Sequence, residues 1–308
     1  MKKQVFFFID DVIWCMRDIT RERPASIFDQ PFLKVLKKAH DEYGMKVQLN
    51  LFYRDDFFYG SQDFTLSDMP DDYKHEFESA SDWLKLQFHA KQEFPDYPYI
   101  NADYDDVKKD FEQVITEIKR FAGEKSLSTA ICPHWLPISR EGTQALYDCG
   151  IRFITPSAGE KWEYTGDPDT LPYGHAARLL QNRKPETMLY TRDANNPAIK
   201  RSLCAYNHIS AEDYQRITFI NDSVLDTATG MRFNRQCTGL CLNLEKLEDI
   251  ENFFDGHWDE EYLGGATHEQ YFYPHYYAYQ PDYPGKILTF VKSVHDHGFE
   301  FITSEDMK

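Results

Sequence analysis

The stretch Val5-Phe6-Phe7-Phe8-Ile9, running straight into Asp10-Asp11, constrains this chain more than any other. Five consecutive apolar residues leave no polar face. The segment therefore reads as a strand buried on both sides, as in a parallel sheet. Two carboxylates at its C-terminal end then stand at the mouth of the sheet, where α/β folds bind ligands. Strand alternation predicts that Asp10 and Asp11 point to opposite faces. One can then bind a metal while the other handles a proton. Read by itself, the pair is equally a solvated acidic loop after a core strand.

The rest of the chain repeats a strand, loop, helix rhythm. Residues 29–43 read as a helix: Asp29 can cap it, Pro31 sits in its first turn, and Phe32, Val35, Leu36 and Ala39 share a face. Gly44 ends it. Strands are predicted at 47–52, 83–88, 127–132, 152–156, 239–244 and 299–303. Helices are predicted at 71–80, 104–122, 139–149, 245–254 and 283–297. Residues 12–27 read as irregular, and 53–71 as a long aromatic loop, a kind that is often functional. Between 158 and 236 the rhythm breaks into prolines and short β-like pieces. These residues read as an insertion within a single domain spanning 1–308.

Composition narrows the function classes. The 51 acidic against 34 basic residues give a net charge of −17, which repels phosphate backbones and argues against a nucleic-acid partner. The apolar run after Met1-Lys2-Lys3 is cut by Asp10, too soon for a signal peptide, and no stretch approaches a membrane span. Six scattered cysteines form no paired framework. The chain reads as cytoplasmic, with its thiols reduced and no membrane partner. A homo-oligomer is compatible with all of this.

Polar groups stand at the ends of successive buried strands: Asp10-Asp11, then His89, then His134-Trp135, with His268 on a late element. A barrel of parallel strands brings strand ends to one rim, so these residues would converge. Aspartate and histidine make a usual set of ligands for zinc. Glu93 follows His89 by four residues and on a helical turn would reach the same point. Any one of these histidines, taken alone, reads more simply as a surface or core residue. His40, His75, His257, His295 and His297 lack such placement and read as surface.

The set Phe8-Ile9-Asp10-Asp11, Phe88-His89-Ala90-Lys91-Gln92-Glu93, Cys132-Pro133-His134-Trp135 and Thr267-His268 resembles the ordered motifs of the polysaccharide deacetylases. The turn His297-Gly298-Phe299-Glu300-Phe301-Ile302-Thr303 resembles that family's last helix-to-strand passage. The likeness covers roughly 1–157 and 237–308. It implies an α/β fold, a distorted (β/α)7-type barrel with an insertion in its second half. It implies Asp10 as catalytic base, Asp11 and His89 as metal ligands and His268 as general acid. Where the family has its second metal histidine this chain has Glu93, and where the family offers an arginine it has His134 and Trp135. Glu93 or His134 is then the third ligand of one divalent ion, zinc by preference. The implied activity is hydrolysis of an acyl group from an N-acylated sugar or a related small amide.

In that chemistry the ion polarises the acyl carbonyl and activates water, Asp10 takes a proton and His268 protonates the leaving amine. Trp135, Tyr271 and Tyr273, with Phe57 or Tyr59, would stack on sugar faces, or would simply pack loops. Other readings compete. A glycoside hydrolase would pair Asp10 or Asp11 with Glu269 across the scissile bond. A catalytically inactive carbohydrate-binding homologue would keep the cleft and lose the metal. An aspartyl-phosphate phosphohydrolase needs Asp-x-Asp, which Asp10-Asp11-Val12 lacks.

Overall fold

The computed structural model describes residues 2–55, 63–94, 98–99, 102–135, 138–155, 223–226, 229–234 and 240–307. Phe57, Tyr59 and most of the 158–236 stretch lie outside them. Among the described residues eleven strands run in chain order: β1 (Lys3–Val12), β2 (Val47–Phe52), β3 (Arg54–Asp55), β4 (Phe64–Thr65), β5 (Leu84–Ala90), β6 (Ala130–Ile131), β7 (Phe153–Ile154), β8 (Ser223–Leu225), β9 (Arg232–Asn234), β10 (Tyr262–His268) and β11 (Phe299–Phe301). Among the same residues seven α-helices accompany them: α1 (Trp14–Glu22), α2 (Pro31–Tyr43), α3 (Lys74–Ser79), α4 (Tyr104–Phe121), α5 (Arg140–Asp148), α6 (Leu247–Ile250) and α7 (Tyr283–Asp296).

The fold is α/β around a parallel sheet. One path runs β10-β1-β2-β5, and β11 also pairs with β1, all in parallel. A second sheet runs β6-β7-β9-β8, parallel except for the β8–β9 hairpin. A parallel bridge between Leu86 and Leu127 leads from β5 toward β6, and another joins Cys241 to Ala266 of β10. Strands β8 and β9 belong to the stretch read as an insertion, and β9 lies directly beside β7.

Both faces of β1 are buried, as its composition demands. Val5, Phe7 and Ile9 join the large core that also holds Phe32 and Leu36 of α2, Phe111 and Ile118 of α4, and Phe290 and Val294 of α7. Phe6 and Phe8 enter a separate small core with Ala130, Cys132, Ala266 and Ile302. The face carrying Phe6 and Phe8 is the face that carries Asp10 two residues on. By the same parity Gln48 and Asn50 on β2, His89 on β5 and His268 on β10 share that inward side.

Three elements depart from the sequence expectation. Residues 14–22 are helical rather than irregular. The predicted strand at 239–244 shrinks to a bridge at Cys241 and a turn of 3-10 helix at Leu242–Leu244. In its place, Tyr262–His268 forms the strand that lies along β1 from Gln4 to Asp10. Gly264-Gly265 disguise it as a loop. The reason for glycine is spatial: a Cβ on Gly265 would meet Phe290 Cζ at 2.9 Å. At α2 the capping side chain is Gln30, which accepts from Leu33 N at 3.0 Å, rather than Asp29. No helix among the described residues is long and apolar enough to cross a membrane.

Candidate metal centre

The site forms where β1 breaks its own pattern. Pairing between β1 and β2 shifts register between Ile9 and Val12, and Asp11 takes a left-handed backbone conformation at φ 60°. Such a bulge re-aims side chains. Asp10 and Asp11 therefore do not point apart, as simple alternation predicts. Both carboxylates turn to one imidazole: His89 Nδ1 lies 3.7 Å from Asp10 Oδ1, and His89 Nε2 lies 3.1 Å from Asp11 Oδ1.

Asp11, His89 and His134 bring three potential donors together, all on buried residues. His134 Nδ1 is 3.0 Å from His89 Nε2 and 3.3 Å from Asp11 Oδ1. The outer nitrogen of each ring is already committed. His89 Nδ1 lies 2.7 Å from the Cys132 carbonyl oxygen, and His134 Nε2 lies 2.8 Å from the Glu93 carbonyl oxygen. A carbonyl only accepts, so each outer nitrogen carries a hydrogen, and each inner nitrogen, aimed at Asp11, is left to hold either a second proton or a metal ion. Asp11 Oδ1, on a side chain that is 7% exposed, accepts no hydrogen bond of good geometry.

Three donor atoms crowded in this way call for a cation, a proton or a metal ion. Donors on a tetrahedral zinc with bonds of about 2.0–2.1 Å lie roughly 3.3 Å apart, close to the three separations found. Histidine ligands also characteristically donate their other ring N–H to a carbonyl or carboxylate. The donor set fits a divalent ion on both counts. The charges agree: burial favours the neutral acid at Asp11, yet His134, His268 and His89 outweigh it and hold the carboxyl well below its usual range. Burial likewise works to lower His134, but Asp11 and then Glu93 push it up to about 9.

Glu93 reaches this cluster through its backbone, which orients His134. Its carboxylate instead accepts from Gln270 Nε2 at 2.6 Å. Asp10 stands beside the donors, held by Asn50 Nδ2 on Oδ1 at 2.6 Å and by the Cys132 thiol on Oδ2 at 3.6 Å. Gln48 Nε2 steadies Asn50 Oδ1 at 2.7 Å. His268 lies opposite Asp10 in the β1–β10 register. Its Nδ1 lies 2.9 Å from Asn243 Oδ1, which leaves Nε2 for proton exchange.

The expected aromatic platform is only partly present. Trp135 adjoins His134 with ring centroids 5.9 Å apart, and Tyr271 adjoins His268 at 6.2 Å. Tyr273 does not face the cleft. It is buried, edge-on to Trp14 at 5.3 Å, with its hydroxyl accepting from Gln30 Nε2. Glu269 is fully buried and accepts three backbone N–H groups, so it offers no carboxylate to a glycosidic bond. Sequence reasoning missed Asn50, Gln48 and Asn243. The signal for the first two was there: polar residues at alternate positions of an otherwise apolar strand.

No protein-family model matches the chain, and no curated protein matches it either. Among solved structures, 4-alpha-glucanotransferase from Thermococcus litoralis is similar over 99% of this chain, at 11% identity and a TM-score of 0.52. This chain spans 40% of that enzyme's length. The likeness shows a shared fold. The Xyl-CE4 domain of a multidomain xylanase from the hindgut metagenome of Trinervitermes trinervoides also aligns, over 99% of this chain and 89% of its own, at 11% identity and a TM-score of 0.41. A deacetylase with substrate aligns over the same shares at 10% identity and a TM-score of 0.38.

Proposed function

We propose that this chain is a metal-dependent hydrolase that removes an acyl group, acetyl in the simplest case, from an N-acylated sugar or related small amide. The observation that carries the reading is the inward convergence of Asp11, His89 and His134, with both imidazole tautomers set by backbone carbonyls. Asp11, His89 and His134 would hold the ion, zinc by preference for this donor set. When bound, such an ion polarises the acyl carbonyl and lowers the pKa of a water.

The chain's own residues supply the rest. The Asn50 amide nitrogen donates to Asp10 Oδ1 at 2.6 Å, so Oδ2, which carries only the long 3.6 Å contact from the Cys132 thiol, is the oxygen that takes a proton from the attacking water. His268, held through Nδ1 by Asn243, delivers a proton from Nε2 to the leaving amine. Trp135 and Tyr271 flank the approach and would bear on the sugar face. The parallel links from Cys241 through β10, β1, β2 and β5 toward β6, β7 and β9 support a distorted (β/α)7-type barrel. A cytoplasmic setting suits Cys15, Cys132, Cys149 and Cys241, which are free thiols.

The test is elemental analysis of purified protein together with acetate release from N-acetylated sugars. Wild type should carry one divalent ion per chain and release acetate. Asp11→Ala and His89→Ala should each lose both. If both variants keep stoichiometric metal, the ligand set is wrong.

A further inference from the structure

Glu269 has no part in the chemistry proposed above, yet it is among the most completely enclosed charges in the protein. Its exposure is 0%. Oε2 accepts from Ile13 N and Trp14 N, both at 2.8 Å, and Oε1 accepts from Cys15 N at 2.7 Å. These three N–H groups open α1. That helix begins Ile13-Trp14-Cys15-Met16, which offers no capping side chain and no acid in its first turn. Left buried without partners, each N–H would cost about 1–3 kcal/mol. The cap arrives from the far end of the chain.

Its position is specific. Two residues before Ile13 stands Asp11, in a left-handed conformation that costs a non-glycine residue roughly 1–2 kcal/mol. Such strain persists only where the surroundings over-determine it. On the N-terminal side the fixed points are Ile9 against Leu49 and Asp10 against His268. On the C-terminal side they are Val12 against Leu51 and the Glu269 clamp on residues 13–15. The bulge that re-aims Asp11 is thus pinned at both ends, and adjacent residues supply a pin on each side: His268, the last of β10, and Glu269, the first of the 3-10 turn that follows it.

We infer that Glu269 is a positioning residue, which fixes the Asp11 turn from the end of β10 and so sets the approach of Asp11 to His89 and His134. The inference rests on the metal-centre reading above. Burial pushes Glu269 up to about 7 against the pull of its backbone donors, as expected for a carboxylate enclosed for geometry.

The test compares zinc affinity, by chelator competition on the full chain, for wild type, Glu269→Leu, Glu269→Gln and Asp103→Ala. The last removes the cap of α4, whose carboxylate accepts from Asp106 N at 2.8 Å, and serves as a stability control. Removing an orienting partner typically weakens a metal site about 10–100-fold, and Glu269→Leu should lose about that much. Glu269→Gln keeps one oxygen for Ile13 and Trp14 but turns an amide on Cys15 N–H, so it should fall between. The visible spectrum of the cobalt-substituted protein should shift in both. Asp103→Ala should lower Tm and leave zinc affinity and the cobalt spectrum unchanged. If Glu269→Leu does not fold, the glutamine variant decides. Glu269 variants that lose Tm as the control does, yet bind zinc like wild type, overturn the inference alone. A wild type that binds no zinc overturns the metal reading and this inference with it.

Discussion

At the scale of single residues, His268 separates ligand from acid. It stands opposite Asp10 but outside the Asp11–His89–His134 cluster, and Asn243 holds its Nδ1. A general acid contributes roughly 10²–10⁴-fold. His268→Ala should therefore lose about that much turnover while elemental analysis finds its metal intact. Substrates with a good leaving group should be spared most of the loss; loss of the metal itself would make His268 a ligand. Much of this site could be read from residue type and place. Asp10, Asp11 and His89 stand in the last residues of their strands and His134 just past one, and parallel strands end at one rim. What could not be read was the use of each side chain. Glu269 next to a candidate acid looks like a catalytic carboxylate, and only the fold shows that backbone N–H groups occupy it. Tyr273 looks like a sugar platform until Trp14 and Gln30 are seen to enclose it.

At the scale of elements, the sequence is legible where local signals agree and fails where a distant partner replaces one. The stripe of α4 (Phe111, Val114, Ile115, Ile118 and Phe121) is evident from spacing, and the structure adds Val107 to it and Asp103 as its cap. Helix α1 is not evident, because its cap, Glu269, lies just past the end of β10. Strand β10 is hidden by Gly264-Gly265, and the second of these glycines leaves room for the ring of Phe290. That contact gives a prediction. Gly265→Leu forces bulk against a buried ring and should destabilise the protein by about 1–3 kcal/mol, the usual range for overpacking. Chemical denaturation measures it. Trimming the ring with Phe290→Leu in the same chain should recover part of the loss. Equal stability of Gly265→Leu and wild type would mean that α7 does not press on β10.

At the scale of the whole molecule, Glu269 also shapes stability against pH. Burial raises it from 4.5 to about 7, so the folded chain holds this proton to higher pH than the unfolded chain does. By linkage, its contribution is fully present below about pH 4.5 and is lost as pH rises to about 7. Glu269→Gln cannot titrate, so its stability curve should lack the part of the fall that wild type shows across that window. Urea unfolding at a series of pH values tests this; parallel curves would mean that Glu269 does not titrate there. The pairing of β1 carries a different consequence, one of timing. Its neighbours β10 and β11 are made long after it, and the bond from Ile13 to Glu269 spans 256 residues. During synthesis the Phe6-Phe7-Phe8 strand must wait with one edge unpaired until those late strands leave the ribosome. Such an edge is open to wrong partners. A nascent chain stalled before β10 should therefore be bound by chaperones or aggregate, whereas one released after β11 can bury its first strand at once.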